Sequence, residues 1–338
     1  MKKLLVSASP HIHSPETTTG VMGDVIISLL PALVMAVVWF GSRALVLTAV
    51  CIGTAVLAEW LSRRVMKRPN TLGDLSAVVT GLILALNLPA SLPLWMAAIG
   101  SVTAIVVVKQ MFGGIGQNFV NPAMTARIIL MVSFPTAMAR WTAPLANAWS
   151  ADAVTTATPM ASLAASSGGH LSADLPSLWR MLVGYHGGSM GEVCALALLV
   201  GGMYLIIRRV ISPIIPAAYI GTVAVWMLAA GRGDLRFVAY ELLGGGLLLG
   251  AFFMATDYAT SPITAKGKWI FGIGCGVITS VIRLYGSLDI LAIDGLSVMG
   301  GKAKDETERF NLITLELKEL AKRYNLFIML ICHTTKAC

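Results

Sequence analysis

Two polar side chains lie where apolar segments of the sequence are interrupted. Asn87 lies in the stretch Ala85–Pro93, and Asp257 lies in a second stretch, Ala255–Pro262. Each stands four positions before a serine and follows a short apolar segment that contains glycine. Polar groups at the ends of interrupted helices bind ions or substrates in membrane transporters. We predict that both residues belong to an ion path; the alternative is a chance likeness of two proline-containing helix ends.

The stretch Gly113–Met124 is a third candidate region. It reads Gly-Gly-Ile-Gly-Gln-Asn-Phe-Val-Asn-Pro-Ala-Met, with Asn121 directly before Pro122. Its glycines allow close backbone approach and its proline can open a helix, so backbone groups become available to a ligand. We therefore add Asn121 to the ion-path candidates. The stretch is not a dinucleotide-binding fingerprint, because it lacks the third glycine and a preceding strand.

A threonine-rich loop offers hydroxyl groups for attachment chemistry. Residues Asp152–Met160 read Asp-Ala-Val-Thr-Thr-Ala-Thr-Pro-Met. Thr155, Thr156 and Thr158 are all available by composition, and Pro159 favours an extended backbone at the residue before it. Taken alone, such a stretch is most simply an exposed, irregular loop without chemistry.

Membrane helices are the elements that must position these residues. The chain has 338 residues, of which 56% are hydrophobic and 12% are charged. An ordinary soluble domain carries about 25% charged residues, so the composition excludes a cytosolic enzyme. Uncharged runs such as Val25–Ser42 and Val210–Gly231 reach or approach the roughly 20 residues that cross a bilayer. We predict an all-α polytopic membrane protein.

About nine transmembrane helices are expected from these runs. They are predicted at 24–41, 44–62, 75–88, 92–110, 119–135, 192–208, 213–231, 241–257 and 268–286. Five crossings separate the helix that ends near Asn87 from the one that ends near Asp257, so these two copies face opposite ways. This arrangement is typical of an inverted repeat with broken helices.

The charges of the loops indicate an orientation. With a cytoplasmic N-terminus, the basic loop 63–68, the pair Arg208–Arg209 and the loop with Lys266 and Lys268 all lie inside, as the positive-inside rule requires. The long loop of about 135–191 then lies outside. The net charge of +8 therefore belongs to the membrane part, and we predict no nucleic-acid partner.

Several other acidic residues lie close to the predicted helix ends, where we interpret them as boundary residues. They are Asp24, Glu59, Asp74, Glu192 and Glu241. The five cysteines form no Cys-x-x-Cys pair, so the sequence predicts neither a disulfide framework nor a metal site.

Residues 152–158 resemble the flavinylation signature Asp-x-x-Ser/Thr-Gly-Ala-Thr, in which a flavin transferase joins FMN to the last threonine by a phosphoester bond. The resemblance implies covalent FMN on Thr158. It makes Asp152, Thr155 and Ala157 the other matching positions. Thr156 departs from the signature, which usually has glycine there.

Further segments resemble one protein family. Ser7–His11, Gly113–Met124 and Met254–Pro262 resemble the D subunit of Rnf electron-transport complexes, which is similar to the B subunit of the sodium-translocating NADH:quinone oxidoreductase. The resemblance covers residues 1–287. It implies a bacterial inner-membrane protein with ten helices in two inverted five-helix repeats and a flavin loop on the outer face.

The same resemblance implies a function within a larger assembly. The chain would be a subunit of a complex that moves electrons between ferredoxin and NAD and translocates Na⁺ or H⁺. Its partners would be Rnf subunits with iron–sulfur clusters and further flavin, together with a flavin transferase for maturation. Some family members also hold non-covalent riboflavin, which no residue of this sequence places.

The tail 288–338 departs from this family. Its sequence predicts a strand ending at Asp294, a helix over Asp305–Tyr324 and a strand over Leu326–Ile331. This order of elements is an α/β pattern. The pattern resembles part of the ATPase domain of hexameric replicative helicases, in which Asp294 would support Mg²⁺ and His333 would sense the γ-phosphate. Because the chain has no Gly-x-x-x-x-Gly-Lys-Ser/Thr phosphate loop, we interpret the tail as an anomalous fragment without function.

Two alternatives to a flavin-bearing redox subunit stay open at this point. An inverted-repeat permease or channel without a redox cofactor fits the fold signals equally well, and the absence of covalent flavin would identify it. A helicase-like nucleotide binder depends on the tail alone and requires ATP binding.

Overall fold

The computed structural model describes residues 17–118, 120–145, 156, 158–165, 175–285, 290–294 and 327–331. The chain forms two compact units, residues 1–277 and 278–338. The first unit contains nearly all of the apolar helices and both regions considered below as candidate sites.

Helices account for most of the described part of the first unit. In chain order they are α1 (Thr18–Phe40), α2 (Ser42–Val65), a 3₁₀ turn (Leu72–Asp74), α3 (Ser76–Leu86), α4 (Leu94–Val102, continued by a π-helix over Thr103–Gln110), α5 (Pro122–Ser133), α6 (Pro135–Met138), α7 (Pro159–Ala165), α8 (Leu178–Val183), α9 (Ala195–Ile207), α10 (Ile214–Ala230), α11 (Leu235–Leu243) and α12 (Leu247–Leu249, continued by a π-helix over Gly250–Met254). Helix α13 (Ala265–Tyr285) begins in this unit.

A helix is present at each of the nine predicted segments, which confirms the helical part of the prediction. By length and composition, three described helices are sufficient to cross a membrane: α1, α2 and α13. The pair α11–α12, bent by 63°, makes a fourth. The other apolar helices are only 10–17 residues long, so the ten-helix inverted repeat stays a prediction.

Local sequence signals explain where the helices begin. The Thr17 hydroxyl accepts a hydrogen bond of 3.1 Å from Gly20 N and caps α1. At α5, Asn121 Oδ1 accepts from Ala123 N at 3.1 Å and Met124 N at 3.3 Å, and Pro122 occupies the first turn. Both helices follow the usual preference for a side-chain oxygen at the cap, and α5 also follows the preference for proline just inside the helix.

Small residues allow the helices to pack closely. Helix α2 packs against α3 and α4, and α1 packs against α9. A Cβ on Gly81 would lie 2.9 Å from the Cys51 carbonyl oxygen of α2, and one on Gly201 would overlap the Ser28 carbonyl of α1. Glycine at such positions is typical of membrane helix interfaces.

The broken helix of the second half is interrupted earlier than the sequence predicted. Its bend lies at Gly244–Gly246, where Gly245 has a φ of 69°. Asp257 instead follows the π-helix Gly250–Met254 and does not lie at the break. Glycine adopts a left-handed conformation without steric cost, which explains why the chain turns at the glycines.

The end of the predicted outer loop and the start of the next segment are buried. The side chains of His186, Ser189 and Glu192 are all less than 9% exposed. Met190 N and Gly191 N donate to the carbonyl oxygens of Leu88 at 3.1 Å and Leu86 at 2.7 Å. Carbonyls at a helix end have no partner within the helix, and this segment supplies partners for those at the end of α3.

The described part of the second unit contains two strands. β1 (Ile290–Asp294) pairs in parallel with β2 (Phe327–Ile331), in the register Ile290 to Phe327. The two predicted strands of the tail are therefore confirmed. The predicted helix over 305–324 and His333 lie outside the described residues.

Candidate functional site

Thr158 lies immediately before helix α7. Its hydroxyl oxygen accepts a hydrogen bond of 3.2 Å from Ala161 N, in the first turn of that helix. Two residues earlier, Thr156 N donates to the Trp141 carbonyl oxygen at 3.1 Å. These contacts hold Thr158 beside the segment that follows α6. Asp152, Thr155 and Ala157, the other positions of the signature, lie outside the described residues.

A surface cavity of about 510 Å³ opens at Thr158. Its lining residues are Thr136, Ala139, Arg140, Trp141, Thr156, Thr158 and Ala161. The volume lies within the 300–1,000 Å³ range of cofactor sites. A guanidinium suits a phosphate group and an indole ring suits the face of a planar ring system, so the residues present fit FMN attached to Thr158.

Helix α7 is fixed to the rest of the first unit by an apolar cluster. Leu163 of α7 packs with Met181 of α8 and Tyr240 of α11. The Tyr240 hydroxyl donates to the Pro176 carbonyl oxygen at 2.8 Å, where the described chain approaches α8. Thr158 therefore lies at the start of a helix that is packed against α8 and α11.

A second and larger cavity of about 540 Å³ brings together two of the three predicted ion-path residues. Asn121 and Asp257 both line it, together with Asn118 and residues at the start of α1 such as Thr18 and Val21. Asp257 Oδ2 accepts from the Thr260 hydroxyl at 3.3 Å. Asn121 Oδ1 caps α5, so this side chain also has a structural role.

Asn87, the third predicted residue, lies elsewhere. It is 2% exposed, and its Oδ1 accepts a hydrogen bond of 2.8 Å from Nη1 of Arg127 in α5. Its Nδ2 donates to the Ile83 carbonyl oxygen at 2.7 Å. Asn87 is not among the described residues that line the 540 Å³ cavity. The structure therefore separates Asn87 from Asp257 and Asn121.

Glu59, which the sequence analysis interpreted as a helix-boundary residue, lies within α2 and is buried. Its side chain is fully buried, and Oε2 lies 2.8 Å from Nζ of Lys109, whose side chain is 4% exposed. Its Oε1 accepts from the Thr71 hydroxyl and from Gln110 Nε2, each at 2.9 Å. Burial is possible because a cation and two neutral donors satisfy the carboxylate.

The ion pair connects to the large cavity through Ser76. Lys109 Nζ donates to the Ser76 hydroxyl oxygen at 2.5 Å, and both residues line the cavity. The Ser76 hydroxyl in turn donates to Asp74 Oδ1 at 2.5 Å. One sequence signal could have revealed the pair, since Glu59 and Lys109 are opposite charges at the ends of long uncharged runs.

The two cavities lie near opposite ends of α1. Thr18 and Val21, at the start of α1, line the larger one. Near the other end, the Trp39 carbonyl oxygen accepts a hydrogen bond of 2.7 Å from Leu145 N, which follows Arg140 and Trp141 by only a few residues. At a rise of 1.5 Å per residue, the ends of this helix are separated by roughly 30 Å.

Within the described part of the chain, no group of three or more His, Cys, Asp or Glu side chains is arranged to hold a metal ion. Three described cysteines, Cys51, Cys194 and Cys275, are free thiols. The candidate sites therefore consist of hydroxyl, amide, carboxylate and cationic groups.

Comparisons with known proteins identify the family. The NQR2, RnfD, RnfE family matches residues 5–290. The chain is 48% identical over 286 residues to the D subunit of the Na(+)-translocating ferredoxin:NAD(+) oxidoreductase complex of Acetobacterium woodii, covering 84% of this chain and 86% of the relative. It is 41% identical over 288 residues to the D subunit of the proton-translocating ferredoxin:NAD(+) oxidoreductase complex of Clostridium ljungdahlii, covering 83% and 86%.

A third relative, the D subunit of the ion-translocating oxidoreductase complex of Halorhodospira halophila, is 40% identical over 311 residues, with coverage of 82% and 86%. The family match ends at residue 290, so it lends no support to the helicase resemblance of the tail. A match of this extent, with relatives of this identity, shows that the chain belongs to the NQR2, RnfD, RnfE family.

Proposed function

We propose that this chain is the D subunit of an ion-translocating ferredoxin:NAD⁺ oxidoreductase complex and carries FMN on Thr158. One observation carries the proposal: Thr158 opens onto a cavity of about 510 Å³ that also contains Arg140 and Trp141. The names of the relatives support the complex, and the cavity supports the cofactor. The remaining signature positions, Asp152, Thr155 and Ala157, serve recognition by the flavin transferase.

The residues around Thr158 bind and orient the cofactor. A flavin supplies one- and two-electron transfer when bound. The Thr158 oxygen would hold the FMN phosphate, the Arg140 guanidinium would offset its remaining negative charge, and the Trp141 ring would offer an aromatic surface to the flavin. The carbonyl of Arg140 accepts from the Ser91 hydroxyl at 2.8 Å, which ties this wall to the turn before α4.

We also propose that the cavity of about 540 Å³ holds a non-covalent flavin, riboflavin. Its volume suits a ring system of that size. Asn118, Thr80 and Lys109 supply polar groups on its walls, and Phe252 and Phe253 supply apolar surface. These groups match a ligand with a polar ring edge and an apolar body.

The ion path is proposed to use the polar residues Asn121 and Asp257 at this cavity, with Asn87 at the end of α3. The proposed partners of the chain are the lipid bilayer and the iron–sulfur and flavin subunits of the complex. The chain would lie in a bacterial inner membrane, with its flavin loop on the outer face. We also propose that the chain has the ten-helix inverted repeat of the family. The tail, residues 288–338, is proposed to have no function.

Co-expression with a flavin transferase tests the covalent site. We expect ultraviolet fluorescence of the denatured chain on a gel and an FMN-monophosphoryl adduct on Thr158 by mass spectrometry. Thr158→Ala should remove the signal completely. Thr156→Gly, which restores the usual signature, is the matched control and should retain it, whereas Thr155→Ala should reduce it in part.

If the chain is instead a permease or channel without a redox cofactor, the denatured chain should show no flavin fluorescence. A chain that shows no fluorescence in the presence of an active transferase, or an adduct on Thr155 or Thr156, would contradict the proposed site.

A further inference from the structure

The larger cavity has a charged wall that is built into the core of the first unit. Glu59 in α2 is fully buried, and its carboxylate lies 2.8 Å from Lys109 at the end of the π-helix that follows α4. Thr71 and Gln110 donate to the same carboxylate, each at 2.9 Å. With three donors on one carboxylate, Glu59 is fixed in place and holds Lys109 beside the cavity.

Lys109 retains hydrogen-bonding capacity toward a ligand. An ammonium group has three N–H donors. Among the described residues, two are directed to Glu59 Oε2 at 2.8 Å and to the Ser76 hydroxyl at 2.5 Å. Lys109 and Ser76 line the cavity, whereas Glu59 lies behind them. The third N–H is therefore available to an acceptor on a molecule in the cavity.

The backbone around Lys109 also departs from an ordinary helix. Residues Thr103–Gln110 form a π-helix, as do residues Gly250–Met254, which include the cavity residues Phe252 and Phe253. π-Helical turns occur frequently at functional sites, where they redirect side chains. Two independent π-helices therefore meet this one cavity.

We propose that Lys109, positioned by Glu59 and Ser76, is the counter-charge that favours the reduced form of a planar redox ring bound in this cavity. The inference rests on the proposed function, which places riboflavin there. Two electrons pass to the ring, one at a time, from iron–sulfur carriers of the complex, and each transfer oxidises a carrier by one electron. One proton from water joins a ring nitrogen, so the fully reduced ring carries one negative charge at its polar edge.

The size of the effect follows from the location of the charge. A cation a few ångströms from a new negative charge interacts far more strongly inside a protein than in water. Glu59 offsets part of this field because its carboxylate lies directly behind Lys109. A net preference of about tenfold for the reduced over the oxidised ligand is a conservative expectation, equivalent to about 30 mV for a two-electron couple.

Ligand binding by the full-length chain tests this inference. We would use the Thr158→Ala background, which lacks covalent FMN, and measure the binding of oxidised and dithionite-reduced riboflavin under anaerobic conditions. The double variant Glu59→Gln with Lys109→Gln replaces the ion pair by two hydrogen-bonding amides. It should lower the ratio of reduced to oxidised affinity about tenfold, whereas Lys109→Arg should retain most of the preference.

A matched control uses an ion pair that does not line the cavity. Asp24 and Arg208 pair at 3.3 Å, with their side chains 15% and 58% exposed. Neutralising both should leave the affinity ratio unchanged. If the double variant does not fold, Ser76→Ala provides a milder test, since it removes one contact of Lys109 and should lower the ratio about threefold.

The outcomes separate this inference from the proposed function. If wild-type-like protein binds neither form of riboflavin, the proposed function of the cavity fails and the inference falls with it. If both forms bind and the ratio is unchanged in the double variant and in Ser76→Ala, the proposed cofactor site stands and the role of Lys109 is overturned.

Discussion

Arg127 Nη1 donates a hydrogen bond of 2.8 Å to Asn87 Oδ1, and this contact joins the middle of α5 to the end of α3. The same nitrogen lies 3.7 Å from the position that a Cβ would take on Gly246, within the glycine break between α11 and α12. Arg127 therefore places a positive charge between the end of α3 and the glycine break that separates α11 from α12. Arginine within a membrane domain is expensive to keep and usually functional.

Asn87→Ala should impair ion-coupled turnover more than membrane insertion. The variant removes the acceptor of Arg127 and leaves a partly buried guanidinium with one contact fewer, a cost of about 1–3 kcal/mol. The measurement is Na⁺- or H⁺-dependent turnover of the assembled complex, with the amount of inserted chain as reference. Asn70→Ala, at an exposed residue outside the helices, is the control. Wild-type coupling in Asn87→Ala would return Asn87 to the class of helix-boundary residues.

Asp257→Asn should also reduce ion-coupled turnover while leaving the chain inserted. Asp257 lines the 540 Å³ cavity, and its carboxylate is a negative charge that a cation could approach there. Asparagine keeps the shape and a hydrogen bond with Thr260 but removes the charge. Asp234→Asn, at the cap of α11, removes a carboxylate that does not line the cavity and should have little effect on coupling. Equal losses in both variants would contradict a specific role for Asp257.

The sequence predicted the apolar helices well because runs of uncharged residues are a strong local signal. It also selected Asn121 and Asp257, which the structure brings to one cavity. It missed the pair of Glu59 and Lys109: their charges at the ends of uncharged runs were a signal, but the contact across 50 positions depends on how α2 and α4 pack. The separation of Asn87 from Asp257 was missed for the same reason.

Close helix packing provides a test of the fold itself. Gly201→Ala should lower the midpoint of thermal unfolding in detergent, because the added methyl group would overlap the Ser28 carbonyl of α1. Overpacking of this kind typically costs about 1–3 kcal/mol. Gly221→Ala in α10 is the control, since nothing lies within 4 Å of its Cβ position. Equal stability of the two variants would contradict the packing of α9 on α1.

Trp141 offers a spectroscopic test of FMN binding in the cavity of about 510 Å³ at Thr158. Trp141→Leu should leave FMN attached to Thr158 but raise the fluorescence of the folded protein, because an aromatic ring stacked on a flavin quenches its emission. Denaturation should remove the difference between the variant and the wild type. Trp179→Leu, at a tryptophan that is 70% exposed and does not line the cavity, is the control. Unchanged native fluorescence in Trp141→Leu would show that this ring does not face the flavin.

Removal of the tail should leave flavin attachment intact. Helix α13 ends at Tyr285 and the family match ends at residue 290, so a chain cut after Ser287 keeps the whole helix and nearly all of the matched region. The tail also shares no motif with residues 152–158. We expect the truncated chain to insert in the membrane and to give the same in-gel flavin fluorescence per chain as the full-length protein, with Thr158→Ala as the negative control. If truncation abolished attachment while insertion was retained, the tail would have a role in maturation, and its interpretation as a fragment without function would be wrong.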